Sequence, residues 1–133
     1  MSELLLVNWL LVLLRGIPVA LVVFGGLLVH TFLLMFEFLF LGSRRSWTQY
    51  LTQIICRTSL ILLGISLKIK GTPMAEQGAV VANHSSWLDI FALNATQKIY
   101  FVAKSEVAGW PGIGWLARAT GTCLLYTSPS PRD

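Results

Sequence analysis

Charge is what this sequence has least of. Only 12% of its 133 residues are Asp, Glu, Lys or Arg, against roughly 25% in a soluble domain, while 55% are hydrophobic. That balance excludes a chain that is water-soluble along its whole length, and it is the balance of a membrane protein. Cysteine is also scarce. Cys56 and Cys123 lie far apart and neither belongs to a metal or redox spacing, so no disulfide framework is expected. There is no internal repeat, no basic run and no nucleic-acid motif. The net charge is +4, and eight of the ten Lys and Arg residues fall between Arg44 and Arg118, dispersed among apolar and aromatic residues. A headgroup surface therefore fits as the anionic partner better than nucleic acid does.

The apolar residues are concentrated at the start. Leu4 to Leu14 is almost wholly apolar, Arg15-Gly16-Ile17-Pro18 interrupts, and Val19 to Phe36 is broken only by His30 and Thr31. A bilayer core of ~30 Å needs about 20 apolar residues at 1.5 Å each, so Ile17 to Leu41 is long enough to cross with some tilt; Glu37 is the exception within it. Pro18 suits the first turn of a new helix, which predicts two helices in place of one. The n-region carries Glu3 and no basic residue, and no small-x-small cleavage site follows, so the segment is expected to be retained and not cleaved as a signal peptide. Arg44 and Arg45 after the run put the downstream part in the cytoplasm, facing a bacterial inner membrane, and Trp47 and Tyr50 sit where interfacial aromatics belong. A true span and a hairpin dipping into one leaflet both satisfy this pattern, the Gly25-Gly26 pair and His30 being compatible with the hairpin.

The expected organisation is membrane-anchoring helices over 1–45, an amphipathic interfacial helix over 46–64, and the first part of an α/β domain over 65–122. In the amphipathic segment Leu51, Ile54, Ile55, Leu60, Leu62 and Leu63 share the chain with Gln49, Thr52, Gln53, Arg57 and Thr58, and Arg57 is expected to face phosphate or water. After Gly64 the period changes to two, with Ile65, Leu67 and Ile69 alternating with Ser66, Lys68 and Lys70 as in a half-buried strand. Gly78 to Ala82 reads as a short, fully apolar strand, Ser86 to Leu93 as a helix and Ile99 to Ala103 as another strand, which predicts an α/β layer with parallel pairing.

Between the second strand and the helix stands Asn83-His84-Ser85-Ser86-Trp87-Leu88-Asp89. On one continuous helix His84 and Asp89 would lie ~140° apart. A helix beginning at Ser86 puts Asp89 at its third position instead, with its carboxylate free to turn back toward the loop holding His84. A carboxylate on one imidazole nitrogen fixes the tautomer and leaves the other nitrogen to take a proton from an alcohol, which is the base an O-acylation needs. Ser85 is the rival, as a covalent nucleophile, but no nucleophile elbow surrounds it. Ser86 to Asp89 is also a capping box, so Asp89 has a structural role open to it as well.

The motif Asn83-His84 followed by four residues and Asp89 resembles the first block of the PlsC-type glycerolipid acyltransferases. The run Tyr100-Phe101-Val102-Ala103-Lys104-Ser105-Glu106-Val107, then Pro111-Gly112-Ile113-Gly114-Trp115 and Gly121, resembles the second. The resemblance covers about Lys68 to Thr122. It implies that His84 and Asp89 are catalytic, that Asn83 and Ser85 line the substrate site, and that Lys104 contacts substrate phosphate. It also implies Gly112 and Gly114 beside the acyl channel, and Trp110 and Trp115 as walls or lipid contacts, with Glu106 structural at a helix start. The implied reaction moves an acyl group from acyl-CoA or acyl-carrier protein to the free hydroxyl of a lysophospholipid, first of all 1-acylglycerol 3-phosphate, giving phosphatidate, with no metal or bound cofactor. Another acceptor such as a lyso-ornithine lipid, or a non-catalytic membrane-anchored binding protein, are the alternatives.

The final stretch, Cys123 to Asp133, reads CLLYTSPSPRD. All its residues can be encoded by a transposase adapter of the kind used in sequencing libraries, so 123–133 is expected to be an artefact tail, excluded from fold reasoning. The family's downstream block, with an acidic residue, Gly, Thr and a phosphate-binding Arg, is then expected beyond Thr122, and the chain as it stands is expected to be inactive.

Overall fold

The computed structural model describes residues 2–42, 46–76, 78–83 and 85–126. Its first element follows from the run of apolar residues: one helix, α1, spans Ser2–Leu41 with Pro18 inside it. The break expected at Pro18 does not occur. An internal proline removes one backbone hydrogen bond and costs about 3 kcal/mol, but a second helix packed across that point holds the two halves in line, with Val19 buried just beyond it. Residues Glu3–Phe40 are long and apolar enough to cross a membrane, with a mean hydropathy of 2.4 in the most apolar window. Most of that surface is bare: Leu4, Trp9, Leu14, Leu21, Phe32 and Phe38 are all exposed.

The second helix, α2, spans Ser46–Leu63, close to the boundaries its amphipathic pattern predicts. It runs back along α1, and a polar contact fixes each end. At its start, the Glu37 carboxylate accepts the Trp47 amide N–H through Oε1 at 2.6 Å and the Thr48 hydroxyl through Oε2 at 2.9 Å. At its finish, the Arg15 guanidinium donates to the Leu63 carbonyl at 3.2 Å. An acid at the helix start and a base at its end each complement the helix macrodipole and occupy backbone groups that have no partner within the helix. Between these ends, Val19, Leu27, His30 and Glu37 of α1 form a buried stripe, matched by Thr48, Cys56, Ser59 and Leu60 of α2. A Cβ at Gly26 would run into the Ile55 side chain, so this glycine sets how near the two helices come.

Gly64 ends α2 at φ 75°. The Ile65 amide donates to the Leu60 carbonyl and the Gly64 amide to the Ile61 carbonyl, both at 2.9 Å, the paired bonds of a Schellman cap. The third helix, α3 (Leu88–Thr96), packs on α2, with Cys56, Leu60 and Ala95 in one apolar cluster and Phe91 against it. Arg57 is exposed to water and also makes a contact the sequence did not suggest. Its Nε donates to the Ala95 carbonyl at 2.8 Å, serving the carboxyl end of α3.

Two expected strands, over 65–69 and 78–82, are not formed; the described residues there are extended or irregular and exposed. Alternation can prepare a strand but only a neighbour with free backbone groups makes one. Such a neighbour exists further on. Strand β1 (Val102–Lys104), within the predicted Ile99–Ala103 stretch but for its last residue, pairs in parallel with β2 (Cys123–Leu125), in the register Val102↔Cys123. Residues 123–125, set aside from fold reasoning above, thus form a strand. A ladder needs only extended, non-proline backbone, and Cys-Leu-Leu supplies it whatever its origin. Thr127 to Asp133 lie outside the described residues. A 3-10 turn (Ser105–Gly109) and a short helix α4 (Ile113–Ala119) connect the two strands.

Candidate active site at the head of α3

The turn before α3 is built by its own side chains. Asp89 Oδ2 accepts the Ser85 amide at 2.8 Å and the Ser86 amide at 2.9 Å. In return the Ser86 hydroxyl accepts the Leu88 amide at 3.3 Å. This is the reciprocal arrangement of a capping box, with a carboxylate where the helix macrodipole favours negative charge. The regular helix starts at Leu88, two residues after the expected Ser86, because Ser86 and Trp87 form the turn that the Asp89 carboxylate gathers.

One consequence is directional. The Asp89 carboxylate points back over the loop, toward the peptide groups that follow residue 84, and not outward along α3. His84 lies outside the described residues, as do Arg44 and Arg45. Asn83 and Ser85, on either side of it, are exposed. Trp87 stacks edge-on against Phe91, with ring centres 5.7 Å apart, which ties the turn to the apolar cluster beneath α3.

The other expected site residues are placed elsewhere. Lys104 is exposed at the carboxyl end of β1, where α/β sheets present their functional groups. Glu106 sits in the first turn of the 3-10 segment that follows. Gly112 and Gly114 are explained by packing. Gly112 precedes α4 at φ 73°, and a Cβ there would press on the Phe24 ring of α1 at 3.3 Å. A Cβ at Gly114 would run into the Ala108 carbonyl, so the 3-10 turn and α4 can meet only over a glycine. Trp110 and Trp115 are exposed, as surface anchors would be.

The residues that position α2, Arg15 and Glu37, carried a signal that was visible in the sequence. Each is an isolated charge in an apolar helix, and such a charge has to find a partner. What was not visible was that the partners are the two ends of one helix.

Residues 67–129 match the protein family described as Acyltransferase. The chain is 50% identical, over 116 residues, to a lyso-ornithine lipid O-acyltransferase of Rhodobacter capsulatus; the match covers 87% of this chain and 42% of the relative. It is 34% identical to a lyso-ornithine lipid O-acyltransferase of Brucella abortus, over 76% of this chain and 38% of that protein. It is 40% identical to a 1-acyl-sn-glycerol-3-phosphate acyltransferase of Neisseria gonorrhoeae, over 56% of this chain and 30% of that one. The chain thus spans about two-fifths or less of the length of these curated relatives. No solved structure matches.

Proposed function

Because the chain belongs to the acyltransferase family, we propose that the whole protein acylates the free hydroxyl of a lysolipid at a membrane surface, with His84 as base and Asp89 as its partner. The acceptor hydroxyl attacks the carbonyl of an acyl thioester, carried by coenzyme A or acyl-carrier protein. A new C–O bond forms as the C–S bond breaks, His84 takes the hydroxyl proton, and the departing thiolate receives it. Asp89 holds the imidazole in the tautomer that leaves one nitrogen available and stabilises the imidazolium. No protein nucleophile is required, so Ser85 has no covalent role.

The observation that supports this reading most is the carboxylate of Asp89 folded back over the Ser85 and Ser86 amides, next in sequence to His84. Lys104 would meet anionic substrate groups from the end of β1. Gly112 and Gly114 would act at a distance, by fixing α4 against α1 and the 3-10 turn.

Between the acceptors, similarity favours a lyso-ornithine lipid over 1-acylglycerol 3-phosphate: the first is the substrate named for a relative 50% identical over 87% of this chain, the second for one 40% identical over 56%. The test uses the whole enzyme with both acceptors and a labelled acyl thioester. Transfer to lyso-ornithine lipid at a kcat/KM at least tenfold above that for 1-acylglycerol 3-phosphate supports the reading. The opposite order overturns the choice of acceptor, and transfer to neither overturns lysolipid acylation itself. The exposed apolar surface of α1 and the basic residues after it support anchoring in a bacterial inner membrane with the site on the cytoplasmic side.

A further inference from the structure

Leu33 of α1 and Trp47, Tyr50, Leu51 and Ile54 of α2 wall an open groove of about 470 Å3, and Lys98 joins them from the loop after α3. The volume is within the ~300–1,000 Å3 of small-molecule sites. The groove's lining is mainly apolar, and Lys98 brings its one charge. Lys98 Nζ lies 5.9 Å from the centre of the Tyr50 ring, near the ~6 Å limit of cation–π attraction, so the ring guides the side chain without neutralising it. Lys98 also borders a cavity of about 20 Å3, of mixed lining that includes Gln49, Asn94, Ile99 and Phe101. A cation at the edge of an apolar trough matches the charge and the chain of an anionic lipid. The helix α1 that contributes Leu33 to the groove also carries exposed Phe32 and Phe36, an apolar surface that lipid covers favourably. The length of α3, about 13 Å at 1.5 Å per residue, separates Lys98 from the turn at Asp89.

We propose that this groove binds a bilayer phospholipid with an anionic headgroup, its acyl chain between Leu33, Leu51 and Ile54 and its phosphate on Lys98, at a site separate from the acylation site. The lipid is a fixed partner of the helix pair and is not consumed. Charge selects it: one lysine facing the headgroup, on a chain of net charge +4, discriminates against zwitterionic lipid.

The experiment is native mass spectrometry of the full chain in detergent, titrated with phosphatidylglycerol and with phosphatidylcholine. Phosphatidylglycerol is expected to bind about fivefold more tightly, the factor one lysine supplies at an anionic bilayer, and Lys98→Gln to abolish that preference. Leu51→Trp, which fills the groove, is expected to lower occupancy by both lipids, with protection of Cys56 from thiol reagents confirming the fold. Equal binding of the two lipids by the unaltered chain overturns the proposal, as does an unchanged preference in Lys98→Gln. In the whole enzyme, one-for-one displacement of phosphatidylglycerol by the lysolipid acceptor would make the groove an acceptor subsite and overturn its separateness.

Discussion

Replacing Glu37 with alanine should loosen α2 from α1, and the size of the effect can be worked out from two hydrogen bonds. The carboxylate accepts the Trp47 amide at 2.6 Å and the Thr48 hydroxyl at 2.9 Å, and Glu37 is only 2% exposed. Hydrogen bonds to a charged group contribute about 1.5–3 kcal/mol each. Alanine removes both and leaves two donors in a site that water reaches poorly, but local relaxation recovers part of the loss, so about 3 kcal/mol is expected. That is a factor of about 150 in the equilibrium between docked and undocked α2. Cys56, which also packs against Ala95 of α3, reports on it because release from α1 loosens that cluster as well. Burial pushes its thiol up from 9.0 to about 12, so the docked helix presents neither access nor thiolate to a maleimide. Labelling then proceeds through the undocked state. With Cys123, which is exposed, changed to serine, the labelling rate of Cys56 at neutral pH should rise about 100-fold in Glu37→Ala and about tenfold in Thr48→Val, which loses one bond. A rate within twofold of the parent in Glu37→Ala would refute the idea that this carboxylate holds the start of α2.

Gly114→Ala should destabilise the packing of α4 on the 3-10 turn by about 1–3 kcal/mol, as overpacking does, because the added methyl meets the Ala108 carbonyl; limited proteolysis should cut between Ser105 and Gly121 faster, and an unchanged rate would count against it. Asp89→Asn in the whole enzyme keeps one oxygen to accept an amide of the turn while removing the carboxylate. The catalytic role predicts a fall in kcat of ~10²-fold or more with little change in stability; the capping role alone predicts a loss of about 1 kcal/mol of stability and near-normal turnover.

Sequence reasoning succeeded where the controlling interactions are close along the chain. The limits of α2 were legible because its amphipathic pattern begins after Arg45 and stops at Gly64, whose positive φ is a local requirement. The turn at Ser86 to Asp89 was legible because a capping box is made within four residues. It failed where a distant partner decides. Pro18 looks like a helix boundary on its own merits, yet contacts from α2, some forty residues further on, carry α1 through it. Ile65 to Ile69 alternates as a strand should but finds no strand to pair with among the described residues, whereas Cys123 to Leu125, which composition set aside, meets β1 in parallel. The bond from Arg57 to the Ala95 carbonyl was not legible because that acceptor lies on another helix.

The central proposal is that His84, with Asp89, serves as the base for acylation of a lysolipid by the whole enzyme, and one substitution addresses it most directly. His84→Ala in the whole enzyme, assayed with lyso-ornithine lipid and an acyl thioester, should lower kcat by ~10²-fold or more while protection of Cys56 from labelling stays at the parent level. Acyl transfer at the parent rate in that variant, with the fold intact, would contradict the account.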